Sequence, residues 1–216
     1  MGGHFFAIAA QAPASNGEGR LKILGVDPGT AVAGYGLIER RPGRSGREEL
    51  GCLAAGQISG GRGYSLSARL RTIFESLTAL IHQFQPDAVA VEEPFVDKNI
   101  QTALKLGQAE GVALLAAELA GVPVMIYPPA TIKLALTGYG RAEKHQVGQM
   151  VGRLLRLKEP LTSHHATDAL AVAICHAHSA PMSEAIQRPL GKQRGLGVRG
   201  HRSTLLALMR TGPRIQ

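Results

Sequence analysis

Two apolar segments of this sequence each end in carboxylates. Asp27 closes the segment 22–26, and the pair Glu92 and Glu93 closes the segment 88–91. An acid at the end of an apolar strand is costly to bury unless a cation or hydrogen bonds meet it. Aspartate before Pro-Gly is also a common turn former, so Asp27 alone leaves both interpretations open. The adjacent pair is harder to assign to a turn, because alternation along a strand points one of the two inward.

A third acid lies in the most apolar helical segment of the chain. Asp168 stands between His165 and the run 169–174, so it faces either the core or a site. Carboxylates from neighbouring strand ends and from a late helix can gather oxygen ligands around Mg²⁺ or Mn²⁺. Two such ions roughly 4 Å apart clamp the attacking water and the leaving oxygen of a phosphodiester displacement. Each acid is a weak signal alone, but together they indicate phosphodiester hydrolysis.

Ten segments of regular structure are predicted to position these side chains. Apolar β-type runs occur at 22–26, 34–39, 50–59, 88–92 and 123–127, and helical segments at 64–84, 98–120, 131–136, 143–157 and 163–178. Three consecutive strands, then strands alternating with helices, predict an α/β fold with a mixed five-stranded sheet flanked by helices. An antiparallel meander opens this sheet and crossover connections continue it. Gly138-Tyr139-Gly140 is predicted to be a flexible joint.

The composition fits one folded domain with two extensions. Of the 216 residues, 44% are apolar, and two cysteines without a CxxC pair predict a reducing cytoplasm and no zinc site. The apolar run near the N-terminus is too short for a membrane span. Residues 1–20 are predicted to be a flexible leader, 21–180 the nuclease domain and 181–216 a basic tail without stable structure.

Most of the net charge of +8 belongs to that tail. It holds seven Lys or Arg residues against one acid, so it carries +6 and residues 1–180 carry +2. Basic tails attract polyanions, because each phosphate they neutralise releases counterions. The charge distribution therefore favours nucleic acid as a partner, with a solubilising tail as the other interpretation.

Four ordered motifs resemble those of the RuvC-type Holliday-junction resolvases. They are 23–30 with 34–36, 91–95 with 98–99 and 103–109, 142–147, and 166–173. The leader and the basic tail lie outside the match. The resemblance implies a ribonuclease H-like fold and a homodimer that nicks two strands of a four-way junction symmetrically, leaving 5′-phosphate and 3′-hydroxyl ends, in DNA recombination and repair.

The resemblance also implies which residues are catalytic. Asp27 and Glu92 match the first two acids of the family and Asp168 matches the last, with Mg²⁺ or Mn²⁺ as cofactors, two per active site. The commonest pattern has an aspartate three residues before the last acid, where this sequence has His165. A spacing of three keeps both side chains on one helix face. Imidazole suits manganese-like ions better than Mg²⁺ and can also carry a proton, so the metal preference stays open.

Five further positions are predicted to contact DNA. Lys144 and Lys133 match family lysines, and an ammonium group there could hold the scissile phosphate. For Lys144 the alternative is a solvated side chain at a helix start. Phe95 matches an aromatic that can stack on an unpaired base, with a core position as the alternative. Lys98 and Asn99 are candidates for backbone or base contacts.

The expected partners are four-way junction DNA, a second copy of the chain and a branch-migration motor complex of the RuvA and RuvB type. The resemblance places the dimer contact on the helix 102–119, at a face of small residues: Gly107, Ala109, Gly111, Ala113, Ala116 and Ala117. Two other classes of protein are the alternatives. A sugar-kinase or actin-like ATPase needs two lobes, and this chain has room for one. A non-catalytic junction-binding protein of the same fold would not need acids at three of its four metal positions.

Overall fold

Ten helices and strands follow one another in the computed structural model, which describes residues 19–43, 48–61, 63–94, 100–159 and 161–186. The strands are β1 (Leu21–Asp27), β2 (Val32–Pro42), β3 (Glu48–Ser59), β4 (Ala88–Glu92) and β5 (Val124–Tyr127). The helices are α1 (Leu66–Phe84), α2 (Ile100–Leu119), α3 (Pro129–Thr137), α4 (Lys144–Leu154) and α5 (His164–Ile186). Every strand and helix predicted from the sequence is present with the predicted type.

The five strands form one mixed sheet in the order β3-β2-β1-β4-β5. Strands β1, β2 and β3 pair antiparallel, whereas β1 with β4 and β4 with β5 pair parallel. A meander therefore opens the sheet and two crossover connections through helices extend it, which confirms the predicted topology. Because β1 and β4 are parallel neighbours, their carboxyl ends meet at one edge of the sheet.

Alternation along the strands divides the core between the two faces of the sheet. Ile23 of β1 and Ala90 of β4 belong to the apolar cluster formed with α3, α4 and α5. The intervening Leu24 and Val89 belong to the cluster formed with α1 and α2 on the other face. Since successive side chains point to opposite faces, the same alternation turns Asp27 toward the face that α5 covers.

Glycines let helix α5 lie directly on the sheet. A Cβ atom added to Gly25 of β1 would stand 1.9 Å from the carbonyl oxygen of Ala169, and one added to Gly34 of β2 would stand 2.0 Å from that of His165. Both clashes are with backbone, which cannot move without moving the helix. The bare strand surface at these positions therefore sets how closely α5 approaches β1 and β2.

Helix α2 does not use its small residues as the sequence suggested. Four of the six predicted contact residues are buried within the chain's own core (Ala109, Ala113, Ala116 and Ala117). The outward face carries Gly107 and Gly111, which have open space beside them, and four exposed apolar side chains: Ile100, Leu104, Leu115 and Leu119. The alanines are spaced to pack on α1 and the sheet, so the face left for a partner is the stripe of Ile and Leu.

Several boundaries differ from the predicted ones. Strand β2 continues to Pro42 and β3 begins at Glu48, because antiparallel pairing extends through Arg41 and Glu49, whose side chains form an ion pair of 3.4 Å. Helix α5 runs to Ile186 and so includes the first six residues of the predicted tail. The chain's internal contacts divide it after Ser183. Residues 1–18 and 187–216, which hold most of the predicted leader and tail, lie outside the described residues. Within the described part, no helix is long and apolar enough to cross a membrane.

Candidate active site

The first two predicted acids end two neighbouring parallel strands. Val26 of β1 is in register with Val91 of β4, so Asp27 and Glu92 follow side by side at the carboxyl edge of the sheet. Both side chains are half-buried and lie on the face covered by α3, α4 and α5. Neighbouring carboxylates in such a place repel each other unless cations approach them.

Helix α5 brings the other two predicted ligands to this edge. Ser163 precedes the helix, and its hydroxyl accepts a hydrogen bond from the amide of Ala166 at 3.3 Å while donating to Gln57 Oε1 of β3 at 2.9 Å. The start of α5 is thereby fixed to the sheet. His165 and Asp168 then lie on one face of its first turn, directed toward β1.

Two short contacts join α5 to the strand acid Asp27 and to α4. Nδ1 of His165 lies 2.7 Å from Oδ2 of Asp27, and Nζ of Lys144 lies 2.6 Å from Oδ2 of Asp168. Lys144 is the first residue of α4, whose start is closed by a hydrogen bond of 2.9 Å from the amide of Glu143 to Gln146 Oε1. The structure therefore brings Asp27, His165, Asp168 and Lys144 together as the sequence predicts.

Burial and mutual repulsion shift the titration of these groups. Burial raises the pKa of Glu92 to about 7, and the charges of Asp27 and Asp168 push it in the same direction. Burial also raises the pKa of Asp27, against the hydrogen bond from His165, which lowers it. Burial alone would lower the pKa of Lys144, but its hydrogen bond to Asp168 and the nearby acids outweigh that effect and raise it. The cluster thus carries more negative charge than its one ammonium group neutralises.

A cleft of about 790 Å³ opens over this cluster. Its walls are formed by the ends of β4 and β5 and by α3, α4 and α5, and they include Glu92, Glu93, Lys133, Lys144 and Asp168. Lys133 therefore faces the same space as Glu92 and Asp168, whereas Asp27 and His165 are not among the residues that line it. Glu93 is exposed at the rim, and its charge acts on Glu110 of α2, on the other face of the sheet. Alternation therefore separates Glu93 from the acidic cluster even though it lines the cleft.

The donor set fits a divalent cation, although no three of the described acidic, histidine or cysteine side chains already stand in the arrangement that holds one ion. Adjacent ligands of an octahedral ion bound at about 2.1 Å lie about 3 Å apart. Oδ2 of Asp27 and Nδ1 of His165 are 2.7 Å apart, close to that spacing. The Glu92 carboxylate makes no hydrogen bond to any described residue, so it is available as a further oxygen ligand. His165 contacts Asp27 and Lys144 contacts Asp168, so each of these two acids has one polar partner in the described part of the chain.

Phe95, Lys98 and Asn99 lie outside the described residues. Sequence reasoning missed Gln57, which anchors the start of α5, and the partly buried hydrogen bond of 2.8 Å between Tyr127 OH and His176 Nδ1. Tyr127 pairs with Glu92 across β4 and β5, so this bond ties the strand end beside Glu92 to α5. Neither contact has a local sequence signal, because each joins residues far apart in the chain.

Comparison with known proteins identifies the family of this chain. A family model described as crossover junction endodeoxyribonuclease RuvC matches residues 23–176. A relative of that name from Heliobacterium modesticaldum is 52% identical over 157 residues, which are 73% of this chain and 94% of the relative.

Solved structures give the same result. The Thermus thermophilus RuvC structure matches with a TM-score of 0.69 at 37% identity, over 76% of this chain and 97% of that chain. T. thermophilus RuvC in complex with Holliday junction substrate matches with a TM-score of 0.67 at 34% identity, over 75% of this chain and 96% of that one. These matches confirm the ribonuclease H-like fold, and the chain belongs to the RuvC family of crossover junction endodeoxyribonucleases.

Proposed function

We propose that this chain resolves four-way DNA junctions by hydrolysing one phosphodiester bond in each of two strands, with 5′-phosphate and 3′-hydroxyl ends as products. The observation that carries the proposal is the convergence of three carboxylates, one imidazole and one ammonium group at the carboxyl edge of the sheet. A match to a relative solved in complex with Holliday junction substrate supports the choice of DNA. The reaction belongs to DNA recombination and repair, in the cytoplasm.

Asp27, Glu92, His165 and Asp168 are the proposed ligands of Mg²⁺ or Mn²⁺, with two ions per active site. When bound, the ions supply an activated water and charge neutralisation at the phosphate. Asp27 is held toward His165 by their 2.7 Å contact, which orients both groups before any ion arrives. Burial raises the pKa of Glu92 to about 7 in the metal-free protein, so an ion that binds this carboxylate competes with a proton.

The two lysines of the cleft are proposed to act on the DNA. Lys144 and Lys133 line the same space as Glu92 and Asp168, and the charges of both act on Glu92. An ammonium group placed beside the reacting phosphate stabilises the charge that develops there. Lys144 contacts Asp168 directly, so it also holds that carboxylate in place until DNA enters.

Other contacts to DNA rest on the resemblance. Phe95 is proposed to stack on an unpaired base at the junction centre, and Lys98 and Asn99 to contact backbone or bases. All three follow Pro94 in the sequence, and Pro94 is the last described residue before them that lines the cleft.

Two symmetric nicks require two active sites, so we propose a homodimer. The exposed stripe of α2 is the proposed contact, because Ile100 and Leu104 are 73% and 64% exposed and lie one turn apart. A branch-migration motor of the RuvA and RuvB type is the further proposed partner.

Cleavage of four-way junctions with and without divalent ions tests the function. A panel of junctions with different crossover sequences is needed, since the preferred sequence is unknown. Asp27→Asn, Glu92→Gln and Asp168→Asn should each lower cleavage by roughly a hundredfold or more, because the amides keep the shape but lose the charge that recruits the ion. Junction binding should persist, since it depends on Lys and Arg contacts to phosphate.

Glu93→Gln is the matched control and should cut nearly normally. Cleavage retained by one of the three variants would mean that the residue is not a ligand. A wild-type protein that binds junctions and cuts none of them in either ion would be a non-catalytic junction-binding protein, which would overturn the proposal.

A further inference from the structure

A second groove lies beside the catalytic cleft, and nothing in the proposed reaction uses it. It has a volume of about 470 Å³ and is lined by Ala130, Thr131, Leu134, Tyr139, Gly140 and Arg141. Ala130 and Gly140 also line the catalytic cleft, so the two spaces share a wall. The side chains of Leu134 and Tyr139 are 56% and 58% exposed, although both are large and apolar in part. The groove therefore presents apolar surface next to the catalytic cleft.

The turn that carries Tyr139 is bridged by hydrogen bonds. Gly138 ends α3 with a φ of 74°, and the amide of Tyr139 donates to Thr137 Oγ1 at 3.2 Å. The Thr137 hydroxyl lies 2.7 Å from the carbonyl oxygen of Lys133 and 3.0 Å from that of Tyr139. The amide of Ala142 also donates to the Tyr139 carbonyl at 3.0 Å. The two glycines predicted a flexible joint here; in the structure these hydrogen bonds bridge the turn, and the Tyr139 side chain is exposed.

The groove combines the two features that single nucleic acid strands need. An exposed aromatic ring offers a stacking platform to any base, and a cation nearby attracts the phosphate. Arg141 is exposed and forms no ion pair or hydrogen bond with the described residues, so its guanidinium group is available. Lys133 of α3 lines the catalytic cleft and continues the positive charge there.

We propose that this groove binds the nucleotide next to the scissile phosphate, with its base stacked on Tyr139 beside Leu134 and its phosphate on Arg141. The proposal rests on the proposed junction cleavage and deepens it. The groove is of the size of a small-ligand site, about 300–1,000 Å³. Three side chains form too small a surface for a stable contact with a second protein, which takes about 20–30 residues a side. One nucleotide continuous with the strand in the cleft is the occupant that matches both the size and the charge.

Fluorescence of 2-aminopurine tests this contact directly. The probe is a four-way junction of four synthetic strands, with 2-aminopurine placed in turn at each position around the crossover, in buffer containing a chelator. Wild type should quench or shift the fluorescence at one of these positions, and Tyr139→Ala should abolish that change and weaken binding about tenfold. Tyr139→Phe should keep both, since the ring and not the hydroxyl is used. Arg141→Ala should lower the slope of log affinity against log salt by about one.

Arg71→Ala removes the same charge from an exposed position of α1, on the opposite face of the sheet, and should change neither the fluorescence signal nor the affinity. Equal binding and fluorescence in Tyr139→Ala and wild type would overturn the stacking contact, while intact cleavage by wild type would leave the proposed function standing. Failure of the wild type to bind any junction would instead remove the proposed function itself. A change of the sedimenting mass in Tyr139→Ala would show a self-association surface and would also overturn the contact.

Discussion

Replacing Glu92 by glutamine should stabilise the metal-free protein while it destroys cleavage. The pKa of Glu92 rises from an ordinary 4.5 to about 7, first because the carboxyl is buried and then because Asp27 and Asp168 repel its charge. The folded protein therefore holds this proton more tightly than the unfolded chain does. As a result, the contribution of Glu92 to the free energy of unfolding falls as the pH rises from about 4.5 to about 7, and it stays low above that range.

The size of the effect follows from the same two values. One pH unit of difference corresponds to about 1.4 kcal/mol, so the ionised Glu92 costs the fold roughly 3 kcal/mol above pH 7. Glutamine has the same shape and never ionises, and so it avoids this cost. The gain from Glu92→Gln should therefore be small near pH 4.5 and grow to roughly 3 kcal/mol near pH 8.5.

Urea unfolding of wild type and Glu92→Gln, with a chelator present and at both pH values, measures the difference. Glu93→Gln is the control, since this neighbouring acid is exposed and its substitution should change little at either pH. Adding Mg²⁺ or Mn²⁺ at pH 8.5 should then stabilise wild type more than Glu92→Gln, because ligands bound to the folded state raise its stability. A gain that is equal at the two pH values would refute the argument from burial and repulsion.

Three other expectations concern the groups around this acid. His165→Asp should shift the preference in cleavage rate from Mn²⁺ toward Mg²⁺, because carboxylate is the harder ligand. An unchanged ratio of the two rates would exclude His165 as a ligand. A cleavage rate that follows the titration of an imidazole in wild type, but not in His165→Asp, would indicate a proton carrier. Gly34→Ala should lower the free energy of unfolding in urea by about 1–3 kcal/mol, since its Cβ would meet the backbone of α5. Gly152→Ala on α4 is the comparison: its Cβ would meet nothing, so it should raise the free energy of unfolding by about 0.5–1 kcal/mol. Tyr127→Phe should lower the free energy of unfolding by about 1–3 kcal/mol in the same measurement, because it leaves a buried ring nitrogen of His176 without its 2.8 Å partner. An unchanged free energy of unfolding would show that water replaces the hydroxyl.

The order of elements and the candidate site residues could be predicted from the sequence, because both depend on local patterns. Strand β4 has the predicted bounds. Its apolar run and the acids that end it are both visible in the local sequence. Asp27 and Asp168 became candidates because each is an acid among apolar neighbours in the sequence. The end of β2 was not predicted correctly, because pairing with β3 outweighs the Arg and Gly composition of that segment.

The spatial relations of the site were decided by the tertiary structure alone. The sequence contains Gly25 and Gly34 but does not say that α5 lies on them, and that packing places His165 against Asp27. The raised pKa of Glu92 arises from burial and from two acids far away in the chain. The outward stripe of α2 and the hydrogen-bonded turn at Tyr139 likewise depend on which faces the rest of the fold covers. Local composition determines which groups are present, whereas burial and distance depend on contacts between distant segments, and these exist only once the chain has folded.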